Sequence, residues 1–248
     1  LLETFSPASV MERSDMPGRQ EEGLEPVAKA RHGEVPEIAT VEENGVTFSA
    51  PLQAGLKTGF YLDQRVTRRD FQARVKPGEK VLDLFSYTGS FSILAGLAGA
   101  LPVAVDIHRP AIQVARMDAQ RYGLNFPIVE ANAFEFLAGE PLGPYDWILL
   151  DPPAIAKTAD KRDSLKWAIW RLVHDAVPHL NVGGRLIVCA CTYQMNLASL
   201  LETCRLAASD RHARLTLEHV TYQDVDHPMP LGFPEAAYLK CAWLRRDA

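Results

Sequence analysis

The stretch KVLDLFSYTGSFSILAGLAGALPVAVDI, residues 80–107, decides the fold. It begins with the apolar run KVLDLF and ends with a second one, LPVAVDI, and each has the length and composition of a buried strand. The segment between them, SFSILAGLAGA, predicts a helix. Because two strands joined by a crossover helix run in the same direction, they are expected to lie parallel in one sheet.

The same alternation continues to the C-terminus. A helix with Pro110 near its first turn precedes a short strand, a short helix and the buried strand DWILLDPP, which two prolines end. The next helix has apolar residues at helical spacing: Leu165, Ile169, Leu172, Val173 and Ala176. The strand GRLIVCAC, a helix near Met195 to Ser209 and the last strands RLTLEHVTY and AYLKCAWL complete the pattern. The sequence therefore predicts an α/β fold, a mostly parallel sheet with helices on both faces.

The N-terminal part of the chain has a different pattern. Residues 1–36 are rich in Glu, Arg, Pro and Gly without a clear period, and we interpret them as a linker or arm. ATVEENGVTFSA, residues 39–50, alternates around an Asn-Gly pair that is typical of hairpin turns, so a small β-hairpin region is predicted over 37–70. The α/β domain then occupies 71–248. The chain begins with Leu1-Leu2 rather than methionine, so we expect an upstream segment to be missing.

The composition limits the class of protein. With 248 residues, 47% hydrophobic and 23% charged, the chain is typical of a globular protein. It has no apolar run as long as a membrane span and no signal-peptide pattern. Four cysteines are too few for a disulfide scaffold, which favours a reducing cytoplasm. The net charge of −5 argues against a surface that coats nucleic acid, so a polyanion would bind at a local patch.

Residues beyond the carboxyl ends of the strands are the candidates for ligand binding in such a sheet. The turn DLFSYTGSFS has one glycine, Gly89, rather than the three of a dinucleotide fingerprint, which disfavours a nicotinamide or flavin cofactor. Asp106 ends the next strand, 23 residues after Asp83, and can accept hydrogen bonds from ribose hydroxyls or cap the following helix. Asn132 ends the third strand, either as a partner for an adenine or as another helix cap.

Two further strand ends carry Asp151 and Cys191. Asp151 precedes Pro152-Pro153, which form a rigid edge, and a carboxylate after a buried strand needs partners. Cys189 and Cys191 share one face of their strand, as core residues, half of a metal site or a nucleophile. A zinc site needs four ligands, and the other two cysteines form no second paired motif, so no metal is predicted.

Six motifs in order resemble the class I S-adenosylmethionine-dependent methyltransferases: GLKTGFYLDQR, VLDLFSYTGSFS, VDIHRPAIQVAR, DPPAIAK, CACT and DHPMPLGFPEAAYLK. More narrowly, the chain resembles the branch that forms 5-methylcytosine in large-subunit ribosomal RNA, from about Met11 to the C-terminus. The resemblance implies a Rossmann-like fold with a mostly parallel seven-stranded sheet, in which 71–248 is the catalytic domain. Family members usually carry an N-terminal PUA-type RNA-binding domain, which the resemblance implies is absent here.

The resemblance implies a cofactor role for each matching position. The turn after the first strand would hold the methionine part of S-adenosylmethionine, Asp106 with Ile107 would hold the ribose, and Asn132 with Ala133 would border the adenine. The residues of that turn are Asp83, Phe85, Ser86 and Gly89. Asn132 departs from the usual aspartate, although an amide can still form a hydrogen bond with the adenine amino group.

The resemblance also implies the chemistry. Cys191 would be the nucleophile and Cys189 a core residue, while Asp151 would lie beside both the cofactor and the N3 and N4 edge of the base. The residues expected to contact the substrate are Gln64, Arg65, Pro152, Pro153 and Lys157. The basic runs QRVTRRDFQARVK and KTADKRDSLK are solvated helix faces or contacts to phosphates. The expected partner is large-subunit ribosomal RNA in the cytoplasm, with no membrane, and a homodimer is compatible with the sequence.

Two other functions stay open from the sequence. One is a class I methyltransferase acting on a base nitrogen or a small molecule; such enzymes often have an aromatic residue after the double proline, where this chain has Ala154. The other is a non-catalytic RNA-binding module that retains the fold. The presence of the motif residues argues against loss of catalysis; they are Asp83, Gly89, Asp106, Asp151 and Cys191.

Overall fold

The computed structural model describes residues 1–15, 19, 22–56, 58–139, 143–153 and 162–248. The chain divides into two compact units, Leu1–Tyr61 and Leu62–Ala248. Residues 62–70, which the sequence assigned to the hairpin region, lie in the second unit. In the described part of the chain, no helix has both the length and the apolar character needed to cross a membrane.

The first unit contains a short helix and two antiparallel strand pairs. Their bounds are α1 Leu2–Phe5, β1 Val10–Ser14, β2 Val27–His32, β3 Ile38–Glu43 and β4 Val46–Pro51. The pair β3–β4 confirms the predicted hairpin, and Asn44 and Gly45 both have positive φ angles, 52° and 77°, as its two-residue turn requires. The pair β1–β2 lies in the segment predicted as a linker or arm. It was missed because β2 is mostly exposed and lacks an apolar face.

The second unit is a seven-stranded sheet with helices. The helices are α2 Arg65–Gln72, α3 Ser90–Leu97, α4 Arg109–Arg121, α5 Ala133–Ala138, α6 Arg162–Ala176 and α7 Leu197–Asp210. The strands are β5 Lys80–Leu84, β6 Leu101–Asp106, β7 Ile128–Glu130, β8 Tyr145–Leu150, β9 Leu180–Cys191, β10 Leu215–Tyr222 and β11 Leu239–Arg246. Among the described residues, short 3₁₀ helices span Leu62–Gln64, Val177–His179 and Pro234–Ala236.

The strand order is β10-β11-β9-β8-β5-β6-β7. Neighbours from β9 to β7 pair in parallel, and β11 is antiparallel to both β9 and β10. This arrangement confirms the predicted mostly parallel sheet. From β5 the chain continues to β6 and β7 on one side and then returns to β8 on the other, so the topological switch point lies between β5 and β8.

The core lies on both faces of the sheet. Trp147 and Ile148 are successive, fully buried residues of β8, so their side chains point to opposite faces. Trp147 packs edge-to-face on Phe71 of α2, with ring centroids 5.4 Å apart. Ile148 belongs to a cluster with Leu172 of α6 and Leu200 of α7. Burial on both faces explains why the inner strands are continuous apolar runs in the sequence.

Candidate functional site

The turn between β5 and α3 has an unusual backbone conformation. Phe85 and Tyr87 have positive φ angles of 63° and 50°, which side-chain-bearing residues rarely adopt. Two hydrogen bonds fix the turn: the amide of Ser86 donates to Val105 O at 3.0 Å, and the amide of Tyr87 donates to Asp106 Oδ2 at 2.7 Å. Strained conformations held in this way are frequent at ligand sites, where they fix the geometry in advance.

Gly89 is required at the start of α3 for two reasons. Its φ of 75° favours glycine, and a Cβ at this position would lie 3.0 Å from Cβ of Ala115 on α4. The single glycine of the turn therefore lets two helices approach each other beside the end of β5.

Asp83 lies beneath this turn rather than open to it. Its Oδ2 accepts hydrogen bonds from the amide of Ser92 at 3.1 Å and from the Ser92 hydroxyl at 2.7 Å, which tie β5 to the first turn of α3. Burial raises the pKa of Asp83 to about 7; the Ser92 hydrogen bonds oppose this rise, and the carboxylates of Asp151 and Asp106 add to it. Asp83 thus supports the site from inside the core.

Asp106 is not the cap of the following helix. The cap of α4 is His108, whose Nδ1 accepts a hydrogen bond from the amide of Ala111 at 3.3 Å. Asp106 instead accepts hydrogen bonds from two backbone amides, that of His108 on Oδ1 and that of Tyr87 on Oδ2, both at 2.7 Å. Each carboxylate oxygen has a second lone pair, which suits ribose hydroxyls. Ile107 beside it is 67% exposed and offers an apolar surface there.

Asn132 does not end a strand, contrary to the sequence prediction, because β7 ends at Glu130. It is the cap of α5, and its Oδ1 accepts a hydrogen bond from the amide of Phe134 at 2.9 Å. The capping alternative is therefore the one observed. Ala133, which follows it, is buried at the start of α5. A contact of this pair with adenine stays a prediction.

Ser86 carries the clearest sign of a ligand. Its Oγ is buried and has no hydrogen-bond partner within the described part of the chain. Buried polar atoms are nearly always paired, since an unpaired hydroxyl loses the free energy of its bonds to water. Together with the fixed turn and Asp106, this hydroxyl fits a polar ligand that has both an amino acid part and a ribose, as S-adenosylmethionine has.

Cys189 and Cys191 lie on the same face of β9 but differ in exposure, because Cys191 is at the end of the strand and Cys189 is deeper in the sheet. Cys191 is the last residue of β9 and is half-buried, whereas Cys189 is 2% exposed and lies opposite Cys241 of β11. Burial, with a smaller contribution from Cys241, raises the pKa of the Cys189 thiol well above its usual value. A thiol of raised pKa is a poor nucleophile at neutral pH, so Cys189 is poorly suited to nucleophilic chemistry.

Asp151 follows β8, the strand next to β9. Its Oδ2 accepts a hydrogen bond from Nε2 of Gln64 at 2.9 Å. Gln64 is only 1% exposed, and its Oε1 accepts a hydrogen bond from the thiol of Cys241 at 3.5 Å. Gln64 is thus placed to orient Asp151, and the contact of Gln64 with the substrate stays a prediction.

The other predicted substrate contacts have mixed outcomes. Arg65 forms ion pairs with Asp224 at 2.7 Å and with Asp226 at 3.2 Å, so a phosphate would compete with two carboxylates for its guanidinium group. Pro152 is buried and Pro153 is exposed. Lys157 lies outside the described residues. Within the described ranges, no group of three or more His, Cys, Asp or Glu side chains is placed to hold a metal ion.

Three side chains near Cys191 were given no role by the sequence. Tyr238 donates a hydrogen bond to Oδ2 of Asp63 at 2.8 Å, and Lys240 is buried on β11. Asp63 stands in the LDQR segment and Lys240 interrupts the apolar run AYLKCAWL. The sequence could have indicated Lys240, because it is a lysine within an apolar strand and lysine is almost never fully buried without a partner.

Comparison with known proteins identifies the family of this chain. A profile described as "S-adenosylmethionine-dependent methyltransferase" matches residues 25–233, most of the chain. The chain belongs to this family. The family's cofactor is the molecule that the turn, Asp106 and the unpaired Ser86 hydroxyl fit.

Curated relatives include two proteins named "Ribosomal RNA large subunit methyltransferase I". The protein from Shewanella frigidimarina is 35% identical over 97% of this chain and 62% of its own length, and that from Shewanella denitrificans is 37% identical over 95% and 61%. The chain thus spans about three fifths of the length of these relatives.

Solved structures show the same fold. A candidate methyltransferase from Streptococcus mutans aligns with a TM-score of 0.77 at 23% identity, over 88% of this chain and 58% of that one. A tRNA m1G37 methyltransferase from M. jannaschii aligns with a TM-score of 0.68 at 12% identity, over 99% and 65% of the two chains.

Proposed function

We propose that this chain methylates carbon 5 of a cytosine in large-subunit ribosomal RNA, with S-adenosylmethionine as methyl donor and Cys191 as nucleophile. The observation that carries the proposal is the placement of Cys191 and Asp151 at the carboxyl ends of adjacent strands, β9 and β8. The names of the curated relatives support ribosomal RNA as the substrate.

The cofactor would bind along the carboxyl ends of β5, β6 and β7. The turn from Phe85 to Gly89 would hold its amino acid part, with the Ser86 hydroxyl as a polar contact, and Asp106 would hold its ribose. When bound, S-adenosylmethionine supplies a methyl group on a positively charged sulfur. Asn132 and Ala133 would border the adenine from the start of α5.

The thiolate of Cys191 is needed because carbon 5 of cytosine is a weak nucleophile. When Sγ forms a bond to carbon 6, the ring loses its conjugation and electron density moves to carbon 5. Carbon 5 would then accept the methyl group that bound S-adenosylmethionine supplies, with the demethylated thioether as leaving group. A base then removes the proton from carbon 5. The electron pair of that C–H bond restores the double bond between carbon 5 and carbon 6, and Sγ leaves as the thiolate.

Asp151 would stabilise the base while the ring is activated. Its carboxylate, oriented by Gln64, would lie at the N3 and N4 edge of the cytosine, where charge changes as carbon 6 is attacked. The cytosine must leave any base stack to reach the site, so an unpaired or flipped nucleotide is implied. The exposed Pro153 would form part of the rim.

The two cysteines provide the test and its control. Cys191→Ala should abolish methylation of ribosomal RNA while the protein still folds and binds S-adenosylmethionine, because only the nucleophile is lost. Cys189→Ala should remain active and lose only stability, since a small buried side chain is shortened. Radioactive methyl transfer and calorimetry measure the two effects.

A trapping experiment identifies the thiol directly. In RNA that contains 5-fluorocytosine, carbon 5 has no proton to lose, so the wild-type protein should remain bound covalently to its target. Mass spectrometry of the digested adduct should place it on Cys191. An adduct on Cys189 would mean that the other thiol is the nucleophile. Full activity of Cys191→Ala without any adduct would contradict the cysteine chemistry and would favour methylation of a base nitrogen.

A further inference from the structure

Lys240 is a buried residue of β11, and its ammonium group forms hydrogen bonds with the backbone of the segment that follows Cys191. It is 3% exposed, and its Nζ donates hydrogen bonds to the carbonyl oxygens of Thr192 at 2.6 Å and Met195 at 2.7 Å. Among the described residues, no carboxylate forms an ion pair with it. A buried ammonium group without an anionic partner is unfavourable, so its position calls for a function.

The charge of Lys240 acts on the nucleophile. Burial lowers the pKa of Lys240 to about 8, and the electrostatic interaction with Cys191 and Cys241 opposes this shift. Because the interaction is mutual, a positive charge on Lys240 favours the thiolate form of Cys191.

Among the described residues, acidic groups also lie near Cys191. Burial and then the charge of Asp63 raise the pKa of Tyr238, and the charge of Cys191 contributes to the same rise. Asp151 follows the neighbouring strand β8. Tyr238 therefore stays neutral, whereas the carboxylate of Asp151 disfavours a second negative charge at Cys191, and a positive charge on Lys240 counteracts it.

We propose that Lys240 is a positioning residue for the nucleophile: it holds the turn after Cys191 and supplies the positive charge that favours its thiolate. The inference rests on the proposed function, in which Cys191 adds to the base. A purely structural role requires the two hydrogen bonds but not the charge. A variant that keeps a donor and removes the charge therefore separates the two roles.

The test measures the rate at which iodoacetamide alkylates Cys191 as a function of pH, in the full chain, with tandem mass spectrometry to assign the modified cysteine. Lys240→Gln keeps an amide donor without the charge, and Lys240→Met removes both. Lys80→Met is the matched control, because Lys80 is an exposed lysine at the start of β5. Circular dichroism and binding of S-adenosylmethionine verify that each variant folds.

We expect alkylation of Cys191 near neutral pH to fall about tenfold in both Lys240 variants, with the profile moved to higher pH by about one unit, because the thiolate is the reactive form. The Lys80→Met profile should match that of the wild type. In methyl transfer, Lys240→Gln should lower kcat with little change in KM for S-adenosylmethionine. An unchanged alkylation profile in folded Lys240→Gln would overturn the inference, and so would an effect confined to Lys240→Met.

The two proposals fail separately. If Cys191→Ala still methylates RNA, the cysteine chemistry is wrong, whereas the alkylation profiles still report the effect of Lys240 on the thiol. If Cys191→Ala is inactive and Lys240→Gln has the wild-type profile, the proposed function stands and only the role of Lys240 is lost.

Discussion

Replacing Asp83 with asparagine should change how the stability of the protein depends on pH. The pKa of this buried carboxyl rises from 3.8 to about 7, chiefly because of burial. A raised pKa in the folded state means that wild-type stability falls as pH rises from about 4 to about 7, because folding then buries a charge. One pKa unit corresponds to about 1.4 kcal/mol, so the full pKa shift of Asp83 corresponds to a loss of about 4 kcal/mol in the free energy of unfolding. Asparagine does not ionise, yet its oxygen can accept the two hydrogen bonds from Ser92.

Urea unfolding between about pH 5 and about pH 8 measures this effect. Over that range the wild type should lose about 3 kcal/mol of unfolding free energy relative to Asp83→Asn. The rest of the wild-type loss of about 4 kcal/mol occurs below about pH 5. The control is Asp163→Asn, an exposed carboxylate in the first turn of α6, whose difference from wild type should change far less. Parallel curves for Asp83→Asn and wild type would refute the reasoning, because they would mean that Asp83 does not take up a proton on folding.

Two further variants test the cofactor site. Gly89→Ala should lower the free energy of unfolding by about 2 kcal/mol and weaken S-adenosylmethionine binding, because it adds both a strained φ and a contact with Ala115. Gly123→Ala is its control in denaturation, with a similar φ of 64° but open space around the new Cβ, and should lose about half as much. Asp106→Ala should weaken S-adenosylmethionine binding in calorimetry by about 1.5–3 kcal/mol, since it removes charged hydrogen bonds, and unchanged binding would exclude Asp106 from the site.

The fold was predictable from the sequence where strands are buried on both faces. Such strands are continuous apolar runs, as in β5 and β8, and the helices between them have apolar residues at helical spacing. The pair β1–β2 was missed, because its second strand is mostly exposed and lacks an apolar face. The position of β11 between β9 and β10 was not predictable either, because pairing between distant strands leaves no local pattern in the sequence.

The site was predictable to the extent that it follows strand ends. Asp106, Asp151 and Cys191 each stand at or directly after the carboxyl end of a parallel strand, where the rule for such sheets places ligands. Their partners were not predictable. The hydrogen bond from Gln64 to Asp151 spans 87 residues of chain, and no motif spacing encodes a contact of that kind.

The direction of β11 explains why the strand-end rule did not find Lys240. Because β11 is antiparallel to β9, its first residues, not its last, lie at the carboxyl edge of the parallel strands, and Leu239 pairs with Cys191. Lys240 therefore lies one residue further along, opposite Ala190, close enough to the edge for its ammonium group to reach Thr192. In a mostly parallel sheet with one reversed strand, the residues to inspect are thus the ends of the parallel strands and the beginning of the reversed one.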